Sequence, residues 1–142
     1  MRVLLQIVVA TVFLLPALHA ADDSGPREIA QTFYDGYMKV VAANGDRDAY
    51  VLDSNLLTKG FKAAYEQMMK IGFESDPVIC GQMYPDDGFA AGSPQIDGDR
   101  ATVPMTSRGD PIKHSFDVRL KNVDGSWLIS DTNDLKADVE DS

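Results

Sequence analysis

Proton-transfer chemistry near neutral pH needs a histidine or a carboxylate held against a substrate, and this chain offers few of either in suggestive places. It has two histidines, His19 and His114. His114 falls in an otherwise apolar, alternating register. It reads either as a pocket acid or base or as a core histidine satisfied by hydrogen bonds. Asp76, directly ahead of Pro77, is the carboxylate that would accompany it. Ser75 and Ser115 are the serines a histidine-based triad would have to use, yet neither sits in the strained strand-to-helix turn that exposes a nucleophile. With one cysteine, Cys80, the sequence lacks the three or four soft ligands of a zinc site. Asp86-Asp87-Gly88 and Asp97-Gly98-Asp99 do not extend into a calcium loop and read as solvated turns. The expectation is no catalytic constellation, with His114 and Asp76 the only candidates, no metal and no cofactor.

A different pattern suits binding. Between Asp76 and Phe89 the residues Val78, Ile79, Met83, Tyr84 and Phe89 stand among the breakers Pro77, Gly81, Pro85 and Gly88. A segment that merely crosses solvent does not need such side chains. They either cover a sheet edge, or Gln82, Met83, Tyr84 and Phe89 form a pocket rim or partner surface, where Met and aromatics are enriched. Cys80 reads as a small buried hydrophobe or as a thiol for another chain.

The elements that must position these residues follow from periodicity. Ile29, Phe33, Tyr37 and Val40 trace one helix face after a start at Ser24-Gly25-Pro26, and Asn44-Gly45 supplies a left-handed stop. Asp46 to Asp53 is expected to form a turn or short helical piece. Leu57, Phe61, Ala64, Met68 and Ile71 predict a second long helix, capped by Asp53 or Ser54 and ended by Gly72. Phe73 to Pro94 is expected to be a long loop with one short strand. Ala101, Val103 and Met105 then alternate with polar residues, and Pro104, which lacks an N–H, predicts an edge strand or a bulge. Ile112, His114, Phe116, Val118 and Leu120 alternate most regularly. A hairpin at Asp124-Gly125 leads to a last strand anchored by Trp127 and Ile129. Helices followed by a meander imply an α+β fold, with helices packed on one face of a curved antiparallel sheet.

The N-terminus reads as an export signal: Arg2, an apolar run from Val3 to Leu15, then Pro16 and a small residue at Ala20. That run is shorter than the roughly 20 apolar residues needed to span a membrane. The expected organisation is a signal peptide at 1–20, a single domain at 21–132 and a flexible acidic tail at 133–142. The protein would then be periplasmic or secreted, without a stable membrane anchor. The 142-residue chain carries a net charge of −9, and the leader holds one basic and no acidic residue, so its removal makes the remainder more acidic still. Such a charge speaks against nucleic acid and against an anionic membrane surface.

The order of motifs resembles the nuclear transport factor 2-like superfamily, and within it an exported bacterial group. The resemblance is carried by the helix around Phe33-Tyr34-Asp35-Gly36-Tyr37, by Asp76-Pro77 and Gln82 after the second helix, and by the hairpin Asp124-Gly125-Ser126-Trp127-Leu128-Ile129. It spans about residues 26–132. It implies a cone of curved sheet around helices, often with a pocket at the open end, and it leaves function open because that superfamily holds enzymes, carriers and interaction modules. The expected function is an exported, non-enzymatic module that binds an envelope protein or a small apolar ligand. The alternative is an acid/base enzyme or a ligand carrier that uses a pocket inside the cone.

Overall fold

The computed structural model describes residues 25–109, 111 and 113–137. The expected leader, the proposed helix start at Ser24 and the strand residue Ile112 lie outside them. Among the described residues, three helices pack against a five-stranded antiparallel sheet, the α+β arrangement that the sequence implies.

Helix α1 (Pro26–Ala42) begins with proline in its first turn, where the missing N–H costs nothing, and its N-cap Gly25 makes no side-chain cap. Ala30, Phe33, Tyr34 and Tyr37 are buried along it. The buried face therefore includes Tyr34, which a strict four-and-three reading leaves out. Asn44, with φ of 50°, and Gly45 end the helix, and the Gly45 N–H donates to the Val40 carbonyl. Helix α2 (Arg47–Asp53) is the expected short piece, capped by the Asp46 carboxylate on the Ala49 N–H.

Helix α3 (Lys59–Ile71) starts later than its apolar spacing predicts. Thr58, and not Asp53 or Ser54, is the cap: its hydroxyl accepts from the Phe61 N–H. Leu57 thus precedes the helix and lies beside Ile129 as an isolated parallel bridge, with Thr58 N–H donating to Ile129 O and Ile129 N–H to Leu56 O. Ile71, at the other end, is 84% exposed. The face that packs is Phe61 and Tyr65, flanked by Ala64 and Met68.

The strands are β1 (Phe89–Ala91), β2 (Gln95–Asp97), β3 (Arg100–Ser107), β4 (Ser115–Val123) and β5 (Ser126–Thr132). They run in the order β1-β3-β4-β5, and β2 pairs with the same side of β3 as β1 does. Strand β3 is therefore interior, which corrects the edge placement inferred from Pro104. The edge line is what breaks: β1 pairs with residues 105–107 and β2 with 100–102, and the proline faces the gap between them. There the Gly92 N–H reaches Pro104 O, and a Cβ on Gly92 would lie 2.8 Å from the proline ring. The free edge of β1 is closed by α1, because the Gln31 amide donates to Phe89 O and accepts from Ala91 N–H, as a neighbouring strand would.

Ala101, Val103, Met105, Phe116, Val118, Leu120 and Ile129 line the covered face of the sheet. Trp127 is half-buried against this core, so Ile129 and not Trp127 is the sealed apolar residue of β5, where Ser130, Asp131 and Thr132 are buried as well. The fold continues past Thr132: Leu135 and Ala137 are buried, and their N–H groups donate to Thr132 Oγ1 and Asp131 Oδ1. The tail expected from 133 onward is thus packed as far as 137.

Candidate functional site

Asp76 opens a tightly closed loop. Its N–H donates to Gly81 O at 2.8 Å and its carbonyl accepts from Gly81 N–H at 3.2 Å. Within this ring Val78 and Ile79 point into the core, and Cys80 takes a left-handed φ of 51° that a non-glycine residue adopts only when its surroundings fix it. The thiol of Cys80 is half-buried, and burial pushes its pKa up, so it stays protonated.

Both carboxylate oxygens of Asp76 are spoken for. Oδ1 accepts from Val78 N–H at 2.9 Å. Oδ2 accepts from the hydroxyls of Tyr37, on α1, and Tyr84 at 2.5 and 2.6 Å, and lies 3.5 Å from the Arg47 guanidinium at the start of α2. Arg47 also donates to the Tyr84 hydroxyl and sits over its ring, 5.6 Å from the centroid. The Asp76 side chain is 4% exposed and that of Arg47 42%, so the ion pair closes the cluster at the surface. A buried carboxylate needs this many donors to offset the loss of water. Burial, and next to it the bonds to Asp76, push the Tyr84 hydroxyl up to about 12; the same causes raise Tyr37 further. Tyr65 Oη donates to Asp48 Oδ1 at 2.7 Å, so α2 is tied to α3 as well.

His114 bonds the same loop at Ile79. Its Nε2 lies 2.7 Å from Ile79 O, and since a carbonyl only accepts, that nitrogen carries the proton. The ring packs on Phe89 and Phe116, and a Cβ on Gly81 would come within 3.0 Å of Nε2. Asp76 and His114 therefore both bond this loop, Asp76 at Val78 and Gly81 and His114 at Ile79. His114 bonds the backbone of Ile79, while Asp76 bonds the Val78 backbone together with the Tyr37 and Tyr84 hydroxyls.

The four residues expected to form a contact surface separate. Phe89 is fully buried in the core, on Tyr34, Phe116 and His114, which removes it from any rim. Tyr84 is half-buried by its bonds to Asp76 and Arg47, while Gln82 is exposed and Met83 is 83% exposed. Gln82 and Met83 thus project from a loop whose base is clamped. Tyr37 and Arg47 have no local sequence signal marking them for this cluster. The usable clue is indirect: an aspartate inside an apolar, proline-bearing segment needs donors from elsewhere.

A wide surface groove of about 810 Å³ runs between the end of α1, α2 and the residues after it, lined among others by Val40, Ala49, Tyr50, Leu56, Asp46 and Asp53. A smaller hollow of about 280 Å³ lies beside Ile96. Neither includes Asp76 or His114. Among the described residues no group of three or more His, Cys, Asp or Glu could hold a metal ion, and no helix is long and apolar enough to cross a membrane.

No family model matches the chain, and no curated protein matches it. Among solved structures, a protein of unknown function from Bacteroides thetaiotaomicron VPI-5482 is similar, with 22% identity and a TM-score of 0.56. The match covers 75% of this chain and 87% of that one. At this identity the likeness speaks for the fold alone.

Proposed function

We propose that this chain is an exported, non-enzymatic binding module on a nuclear transport factor 2-like scaffold, and that it meets a protein partner through the Gln82-Met83 tip. One observation carries the reading: Met83 is 83% exposed in the two-residue stretch between Gly81, whose backbone is bonded to that of Asp76, and Tyr84, whose hydroxyl donates to the Asp76 carboxylate. An apolar anchor on a rigid base loses little conformational entropy on binding, which is how a small contact gains affinity. The two groups most suited to acid/base work spend their hydrogen bonds within the fold, Asp76 on Val78, Tyr37 and Tyr84 and His114 on Ile79, which favours binding over catalysis. The envelope as the place of action rests on the apolar leader.

The test is capture from an envelope extract by wild type, Met83→Arg and Gln82→Arg. The exposed positions predict unchanged melting temperatures and loss of the partner in both variants. Folded variants that retain every captured protein would refute the contact.

A further inference from the structure

The sulfur chemistry of the chain is unevenly distributed. Met105 is fully buried, Met38, Met68 and Met69 are half-buried against the core, and the Cys80 thiol is half-buried and kept protonated by its burial. Met83 alone among the described sulfur-bearing residues stands in solvent, and it stands at the tip to which the binding reading assigns the partner. A thioether reacts with peroxides without first losing a proton, so exposure governs its rate, whereas a cysteine needs its thiolate.

We propose that Met83 is an oxidant-sensitive modification site, and that its conversion to the sulfoxide releases the partner bound at the loop tip. The step is a two-electron oxygen transfer. A sulfur lone pair attacks one oxygen of a peroxide, the O–O bond breaks, the sulfoxide forms and the other oxygen leaves as water after proton transfer. Sulfur is oxidised and the peroxide reduced. The product replaces an apolar, flexible end with a polar, chiral one, and methionine sulfoxide reductases reverse it. The loop itself stays in place, because the bonds that hold it come from Asp76, Gly81 and His114 and not from Met83. The site follows from exposure alone; the release of a partner rests on the binding reading above.

The experiment treats the folded protein with dilute hydrogen peroxide at mildly acidic pH and follows each methionine by peptide mass mapping. Met83 is expected to gain oxygen about tenfold or more faster than Met105, and ahead of Met38, Met68 and Met69, with no change in melting temperature. Treated wild type should lose its partner, while Met83→Leu, apolar but without a thioether, should retain it after the same treatment. A Met83 rate no higher than that of Met105 overturns the site and leaves the contact reading standing. Selective oxidation with capture unchanged, while Met83→Arg abolishes capture, overturns the regulation alone. Capture that survives Met83→Arg overturns the contact and the regulation built on it.

Discussion

Two hydroxyls and a guanidinium meet at one carboxylate oxygen of Asp76, and their unequal burial sets how much each matters. Replacing Asp76 with alanine leaves the sealed Tyr37 hydroxyl without its acceptor and frees the loop, so Asp76→Ala should lower stability by about 3 kcal/mol. Arg47 keeps water on its outer side, and Arg47→Ala should cost only about 1 kcal/mol. Urea denaturation of both variants checks the ranking, and equal losses would contradict it. The tyrosines add a dependence on pH. A group whose pKa is higher in the folded state stabilises fully below its unfolded pKa and loses that contribution as pH climbs through the folded one. Tyr84, pushed up to about 12, with Tyr37 and Tyr65 shifted in the same direction, should make the urea midpoint fall between pH of about 10 and 12. A midpoint that stays level across that window would contradict the bonding described. Asp76 and His114 are legible in the sequence because a polar residue within an apolar pattern stands out. Their partners are not: Tyr37 lies 39 positions from Asp76, and only tertiary packing brings the two together.

Elements were legible where periodicity and caps agree, and misread where a cap outranked the pattern. Ala101, Val103, Met105, Phe116, Val118 and Leu120 alternate and are buried as alternation requires. Thr58, however, begins α3 after Leu57, and the hydrophobic spacing of Leu57 with Phe61 disguised a bridge residue as a helical one. Pro104 marked a place where hydrogen bonding fails, yet sequence alone could not say that the neighbouring strand splits there. Gly36 is a further case. A glycine inside a helix normally costs roughly 0.5–1 kcal/mol relative to alanine, so Gly36→Ala would ordinarily stabilise. Here a Cβ would fall 2.1 Å from the Tyr50 hydroxyl, which crosses α1 to donate to Phe33 O. Gly36→Ala should therefore lower the melting temperature, and Tyr50→Ala in the same chain should recover part of the loss. A rise on the single substitution would contradict the way α2 packs on α1.

At the scale of the molecule, an aromatic core is spread between helices and sheet: Phe33 touches Tyr34, Tyr37, Tyr50 and Phe61, and Tyr34 touches Phe89 and Phe116. That core takes in Val78 and Ile79 of the loop, and the loop presents Met83. Periodicity and the order of elements gave the class of fold, and composition the negative net charge. Exposure could not be read the same way, because Met83, sealed Met105 and sealed Phe89 are all apolar residues in breaker-rich or alternating contexts. Ile96 offers an internal comparison, since it too is an exposed apolar side chain, at 57%, but lies on the short strand β2, which carries none of the residues bonded to Asp76. The most direct test places a photoreactive residue at position 83 or at position 96 of the full chain and irradiates the producing cells. The account predicts a discrete crosslinked partner from position 83 and none from position 96; a partner captured from 96 alone, or from neither, would contradict it.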